Sequence, residues 1–504
     1  VKNILKIIQD ITKKRVIVHI TDTYFLNESK NGKEIEIPGF ARIYRILEIL
    51  SKNKENEILF VHSGDFLFPS FLSNFFKGKQ MISILNECKL DYCTLGNHDF
   101  DGGLKILKSR IKESKFNYII TNLTAPKEIT RNILQYDVWP KKSPKIALIG
   151  IVGKMTANKA VENGFKMKNA QQSLKIIDEI KEKFPEIRLL LVLSHMGDVE
   201  DIELKKTIQK KWPLKSIILG GHDHNQLISY NSKLDRCMLV KGQSNARTIQ
   251  IIFSDKENTN ESKGFLHNKL LVLNSKHYQK ISPSKKIGKE IDSWYKKLKN
   301  ENKLPSNNVV KIFPKDTVLD ATEVSLRKGT TNFGNFISDC LKNHTKSDIA
   351  FVNSGHFRGD RNFFEKLTER NLFDTFVMKQ RGNILVTKLS TKECVLFLKH
   401  AYSQIGKGKI LQFSKNALEF IKESKKNRKI NVALISDMIF SNEDGFAEIL
   451  AKNRKITVSK LQKLLRKDII KNENLIDIIL TSASKTNYDP EIRFQVGENS
   501  SHYQ

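Results

Sequence analysis

With 504 residues, 39% of them hydrophobic, the chain is longer than one hydrophobic core usually serves and apolar enough to fill two. Its formal charge of +31, from 86 Lys and Arg against 55 Asp and Glu, attracts phosphate-bearing molecules, but the basic residues are scattered and read first as a solvated surface. The five cysteines (Cys88, Cys93, Cys237, Cys340, Cys394) are odd in number, widely spaced and without a CxxC pair, which argues against a disulfide framework or a zinc knuckle.

Val1 to Asp10 lack the long apolar stretch of a secretory signal, and no window reaches transmembrane length. A soluble, cytoplasmic protein is expected, while the start at Val leaves room for a removed leader. Over residues 1–275, short β-branched runs alternate with amphipathic stretches, the pattern of a layered α/β domain. Strands are predicted at Val16–Ile20, Ile58–His62, Tyr92–Leu95, Ile146–Val152, Leu189–Leu193 and Ile217–Leu219. Helical spacing recurs between them, in Ile43, Ile46, Leu47 and Leu50 and in Leu174, Ile177 and Ile180. Residues 276–314 are Lys-rich, with Pro283 and Pro305 around a helical stretch at Ile287–Leu298, and read as an interdomain connector. A second α/β domain over 315–480 has predicted strands at Ile349–Val352 and Asn383–Leu389 and helices at Phe333–Leu341 and Lys392–Tyr402. Residues 481–504 read as a loosely ordered polar tail.

Five strand ends run at once into polar residues: Thr21-Asp22, Ser63-Gly64-Asp65, Gly96-Asn97-His98, Ser194-His195 and Gly220-Gly221-His222. Side chains at the carboxyl ends of adjacent strands converge on one sheet edge. A two-metal phosphoester site needs a carboxylate bridging both ions, further oxygen and nitrogen ligands, and an open position for water. Asp65, on a tight turn, is the bridging candidate; Asp22 and His224 complete one ion, and Asn97, His195 and His222 hold the other. In Gly221-His222-Asp223-His224 the i, i+2 spacing sends both imidazoles to one side. Any one of these histidines alone reads as an ordinary surface or core residue, and it is their joint order that reverses the reading.

That order resembles the calcineurin-like metallophosphoesterase superfamily. Three segments are similar to its 5′-nucleotidase family: Ser63-Gly64-Asp65-Phe66-Leu67-Phe68-Pro69-Ser70, Gly78-Lys79-Gln80-Met81 with Leu85-Asn86, and Gly96-Asn97-His98-Asp99-Phe100-Asp101. The similarity continues through Leu193-Ser194-His195-Met196-Gly197 and, more faintly, into the second domain. The resemblance implies an N-terminal four-layer α/β metallophosphoesterase sandwich and a second α/β domain of the 5′-nucleotidase C-terminal type. It also implies two divalent metal ions (Mn, Zn, Mg or Fe) and hydrolysis of a small phosphorylated metabolite, first of all a nucleotide, by hydroxide generated at the metals. His98 is then the residue stabilising charge on the phosphoryl group or leaving oxygen, oriented by Asp101; as a residue in its own right, Asp101 also reads as a helix N-cap. One departure stands at the first motif, where the family has Asp-x-His and this chain has Asp22-Thr23-Tyr24. Tyr24 is read as lining the site with water or substrate in the histidine's place, the alternative being a phenolate on a hard ion such as ferric iron.

In the second domain, Arg327 ahead of Thr331-Asn332-Phe333-Gly334-Asn335, and Asn353-Ser354-Gly355-His356-Phe357-Arg358, resemble segments from which the family's arginines reach phosphate or polar substrate groups. Each arginine taken alone reads equally well as a partner of nearby acids. The family's two base-clamping rings are missing, since the matching segments are Gln380-Arg381-Gly382-Asn383 and Met438 through Asp444-Gly445-Phe446. Arg381 can stack on a base and Met438 can pack against one. The implied substrate-binding set is therefore Arg327, Asn353, Gly355, Arg358, Arg381, Asn383, Met438 and Asp444. Two other readings stand beside the hydrolase. One is a nuclease, suggested by the charge and opposed by the small-substrate domain; the other is a binding or scaffold protein without turnover, suggested by Tyr24 and the missing rings. Nucleic acid is the lesser of the candidate partners.

Overall fold

A computed structural model of the chain describes residues 4–31, 34–129, 132–231, 235–255, 269–376, 383–406, 410–424, 427–440 and 445–490. The chain divides into two compact units, Val1–Glu301 and Asn302–Gln504.

The first unit is built on two sheets. In one, Lys14–Ile20, Glu57–His62, Tyr92–Cys93, Asn117–Ile119 and Ile133–Leu134 run parallel, and Ile249–Asp255 and Lys269–Leu273 close one edge antiparallel. In the other, Ile146–Val152, Leu189–His195, Lys215–Gly220 and Cys237–Lys241 run parallel between the antiparallel edges Tyr136–Trp139 and Leu227–Ser229. Period-two alternation decides what each face meets. Leu148, Leu191, Ile217 and Val240 pack against Ile17, Leu59, Val61, Ile119 and Ile252 of the opposite sheet. The intervening Ile149, Val192, Ile218 and Leu239 pack against Ile177, Ile180, Leu204 and Ile208. The last four lie on the helices Ile176–Lys183 and Asp198–Lys211. Strands buried on both faces are why these segments read as unbroken apolar runs, and each large aliphatic in them contributes about 1.5–3 kcal/mol. The layered α/β expectation holds, as do its strand positions, except that the strand expected at Tyr92–Leu95 ends at Cys93.

Two boundaries differ from expectation. The helix Lys285–Asn300, placed in the connector, turns Ile287, Ile291, Trp294 and Leu298 to a buried face. It packs on the helices Gly39–Ser51 and Lys79–Glu87 of the first unit, so the apolar stripe binds it there and the division falls after it. At the other end, the expected polar tail is partly built into the second unit. Ala483 and Thr486 are buried, and the Tyr488 ring meets Phe313 edge-on at 5.0 Å.

The second unit is a five-stranded sheet in the order Leu411–Phe413, Ile349–Asn353, Lys429–Ile435, Asn383–Ser390, Ile469–Asn474. One face packs Ala350, Val352 and Ile435 with Phe333, Phe336 and Ile479. The other packs Phe351, Leu385 and Leu434 with Phe397, Phe446 and Leu461. All five cysteines are free and buried, as core filler is expected to be. Among the described residues, no helix is long and apolar enough to cross a membrane.

The two sheets of the first unit touch at Gly150. The Thr121 amide donates to its carbonyl at 2.7 Å, and its own amide donates to Thr121 Oγ1 at 3.0 Å. A Cβ there would stand 1.8 Å from the Ile119 carbonyl oxygen. Gly150→Val is therefore expected to force the sheets apart at a cost of about 1–3 kcal/mol or more, measured as a fall in the urea midpoint.

Candidate metal centre

The site grows from the carboxyl edge of both sheets in the first unit. The register aligns Ile20 with His62 and His62 with Cys93 in one sheet, and Ser194 with Gly220 in the other, so the loops that follow begin side by side. Asp22, Asp65, Asn97 and His98 come from the first sheet, and His195, His222 and His224 from the second. The sheets are tied together here, with the Ser63 hydroxyl donating to the Leu219 carbonyl at 2.6 Å and His195 Nδ1 lying 2.7 Å from the Ser63 carbonyl. Asp22, Asp65, His222 and His224 all have left-handed backbone, with φ of 50°, 60°, 84° and 64°. That conformation is uncommon outside glycine and gathers at functional sites.

Ligating atoms of Asp22, Asp65 and His195 lie within 4.8 Å of one another, all buried. His224 Nε2 is 3.4 Å from Asp22 Oδ1, and His222 Nδ1 is 3.0 Å from Asn97 Oδ1. All six expected ligands thus converge. Tyr24 joins them, its hydroxyl 3.0 Å from His224 Nε2 and 3.3 Å from Asp65 Oδ2. His98 donates its amide to Asp65 Oδ1 at 2.8 Å and sets Nδ1 against Asp101 Oδ2 at 2.7 Å. The N-cap reading of Asp101 does not hold, because the next helix starts at Gly103 with Gly102 as its cap.

The donor set suits a cation. His195 Nδ1 is held by a carbonyl, while Nε2, 3.3 Å from Asp65 Oδ2, is buried without a hydrogen bond. An imidazole held by one nitrogen with the other directed at carboxylates is the arrangement of a metal ligand. Burial opposes ionisation of Asp65, yet the neighbouring His195 and His98 hold its carboxyl down at about 2. Asp22 is likewise held below the usual carboxylate range, burial being outweighed by His224 and His195. Burial also works against a charged His195, but Asp65 and Asp22 push its pKa up to about 10. So steep a negative field around a buried imidazole is what a cation would neutralise.

In the second unit, Arg327 and Arg358 approach the same buried acid, Glu323, at 3.4 and 3.8 Å, so both pair with a nearby acid. Asn353 ends a strand and contacts His356 Nδ1 through its Oδ1. His356 Nε2 lies 3.7 Å from Asp437, and half-buried Gly355 sits in the turn between. Exposed Asn383 starts its strand and accepts the Ser436 amide through its carbonyl at 2.8 Å. Met438 is a correction: it is 1% exposed and packs in the core with Phe397 and Phe446, so its side chain fills the interior and does not line a binding surface. Arg381 and Asp444 lie outside the described residues.

Residues 15–226 match the family described as Calcineurin-like phosphoesterase, and residues 312–437 the 5'-nucleotidase, C-terminal domain. The chain joins a calcineurin-like phosphoesterase domain to a 5′-nucleotidase C-terminal domain. It is 27% identical over 209 residues to a 5'-nucleotidase-related protein of Glossina morsitans morsitans, covering 40% of this chain and 37% of that protein. It is 23% identical over 339 residues to a human 5'-nucleotidase, covering 61% and 54%. The chain thus spans roughly a third to a half of these relatives' length. In fold it is similar to a 5'-nucleotidase precursor from Thermus thermophilus, with a TM-score of 0.74 at 16% identity over 96% of this chain and 99% of that one. Calcineurin-like phosphoesterases bind divalent metals, and the cluster of Asp22, Asp65 and His195 offers such a site here.

Four supports of the phosphoesterase domain's site went unread in the sequence. Asp99 accepts the amides of Asp65, Phe66, Leu67 and Gly96 at 2.8–2.9 Å, clamping two ligand loops. Gly96 is needed beside it, since a Cβ there would stand 2.0 Å from Asp65 Oδ1. Asn245 accepts the Tyr24 amide at 2.9 Å and donates its own to the Asp22 carbonyl at 2.8 Å. Fully buried Lys241 meets Asp198, Asp201 and Asp223 at 2.8, 3.1 and 2.9 Å and so anchors the His222–His224 loop. His19, also buried, bridges Gln250 Oε1 and Ser63 Oγ at 2.8 and 2.9 Å. Only Asp99 lay in a segment singled out by the motifs; the other contacts join positions distant in the chain.

Lys241→Met leaves the buried Asp201 and the half-buried Asp198 and Asp223 without their cation and is expected to cost about 3–5 kcal/mol, measured by urea unfolding. Burial lowers the pKa of His19 from 6.5 to about 4, against the opposing hydrogen bond with Gln250. The unfolded chain therefore takes up a proton that the folded chain refuses, and this residue's share of stability, intact above pH 6.5, is lost as the pH falls toward 4. His19→Gln is expected to lose less stability than wild type between those two values in a pH series of unfolding curves.

Proposed function

We propose that this protein is a metal-dependent phosphoester hydrolase that releases phosphate from a small phosphorylated metabolite, a nucleoside 5′-monophosphate before others. The observation that carries the reading is the buried cluster of Asp22, Asp65 and His195, with an unsatisfied His195 Nε2, set beside the His98–Asp101 pair. The 5′-nucleotidase relatives support the nucleotide as substrate. Two divalent cations would be held here by Asp22, Asp65, Asn97, His195, His222 and His224. Such ions act as Lewis acids on phosphoryl oxygens and make bound water acidic.

The chain's own groups do the rest. The Ser63 carbonyl occupies Nδ1 of His195, leaving its Nε2 for a cation. Asp101 holds Nδ1 of His98, and Nε2 is the ring atom this reading assigns to steadying charge on a phosphoryl or leaving oxygen. In the C-terminal domain, Arg327 and Arg358 are the substrate-binding groups of this reading, their shared contact with Glu323 holding the forks in place.

Phosphate release from a panel of nucleoside monophosphates and sugar phosphates tests the proposal. Chelation and Asp65→Ala are each expected to abolish it, and His98→Ala to slow it by about 10²–10⁴-fold. Wild-type turnover that survives chelation would sink the metal-dependent reading, and a preference for sugar phosphates would sink the nucleotide.

A further inference from the structure

The spacing of donors around Asp65 says more than their identity. Tyr24 Oη is 3.0 Å from His224 Nε2 and 3.3 Å from Asp65 Oδ2. His224 Nε2 is 3.4 Å from Asp22 Oδ1, and His195 Nε2 is 3.3 Å from Asp65 Oδ2. Hydrogen bonds to a carboxylate are shorter, about 2.5–2.7 Å from a hydroxyl and 2.7–2.9 Å from a charged nitrogen. Two atoms bound to one cation at about 2.0–2.2 Å stand about 3–3.5 Å apart. The phenol oxygen stands as far from Asp65 Oδ2, at 3.3 Å, as His195 Nε2 does, and its 3.0 Å from His224 Nε2 falls within the range that two donors of one cation keep.

Nor is Tyr24 an adaptable lining residue. Its side chain is 3% exposed, its amide is held by Asn245 Oδ1, and Asn245 is held in turn by the Asp22 carbonyl.

We propose that Tyr24 is itself a ligand of the cation served by Asp22, Asp65 and His224, and that it inclines that position toward a hard, high-charge ion of the ferric type. This rests on the metal-site reading above and goes beyond it. On binding, the phenol gives its proton to solvent and the ion meets three oxygen donors, from Asp22, Asp65 and Tyr24, and one nitrogen, from His224. Hard oxygen ligands favour hard ions over zinc-like ones. A histidine at this position would make the donor set evenly nitrogen and oxygen.

The test uses the full chain, stripped by a chelator, loaded with ferric ion supplied as its nitrilotriacetate complex, and desalted. Bound iron is counted and the visible spectrum recorded. Wild type is expected to retain iron and show a phenolate-to-iron charge-transfer band. Tyr24→Phe and Tyr24→His, checked for native circular dichroism, are expected to lose the band, and Tyr24→Phe to hold the ion more weakly by about tenfold or more. Iron bound without the band, or a band that survives in Tyr24→Phe, overturns the proposal. A parallel manganese titration separates the two levels of inference. Manganese uptake by wild type with no ferric uptake removes the role given to Tyr24 and leaves the hydrolase reading standing, whereas uptake of neither ion removes both.

Discussion

Asp22 and Asp65 are almost wholly withdrawn from water, and yet their carboxyls are held below the usual carboxylate range. Burial by itself would drive a carboxyl toward its neutral form. Here the imidazoles of His195, His224 and His98 outweigh that cost, and the same field raises the affinity of His195 for a proton. The rest of the phosphoesterase domain can be understood from this balance. A proton on His195 satisfies it in a poor way, because Nε2 makes no hydrogen bond with the carboxylate it faces. A cation among the same atoms would satisfy it better.

Keeping such a cluster together demands rigidity, since like charges and strained backbone both push it apart. Four of the candidate ligands adopt left-handed backbone, and each such position costs on the order of 1–3 kcal/mol unless its surroundings over-determine it. The surroundings do. Asp99 gathers four amides from the loops carrying Asp65 and Asn97. Lys241 binds the acid lying between His222 and His224 together with two acids of the neighbouring helix. Beneath them, the apolar seam between the sheets fixes where the strand ends emerge.

The C-terminal domain keeps the frame of its family while altering what it displays. Arg327 and Arg358 converge on one buried glutamate, so their positive charge is shared with an acid. Met438, at a position where the family resemblance puts an aromatic ring, turns into the core, and His356 stands against Asn353 and Asp437 where a glycine would leave space.

The layered α/β class, the central strands and the convergence of six ligands are legible in the amino-acid order alone, because they depend on local periodicity and on short motifs at strand ends. So is the pairing of His98 with Asp101, three residues apart and in one loop. What stays undecided at that level depends on contacts between distant positions. The helix Lys285–Asn300 shows its apolar stripe in the sequence, but only packing assigns that stripe to the first unit. Met438 is an apolar residue beside a functional segment, and whether it faces core or solvent is decided by the layer above it. Lys241 and Asn245 belong to no motif; they matter because folding sets them behind loops from elsewhere in the chain. Tyr24 is the sharpest case: the sequence shows that a histidine is absent, and only the folded chain shows the phenol oxygen at ligand spacing from Asp65 and His224, because that spacing is set jointly by loops from two sheets.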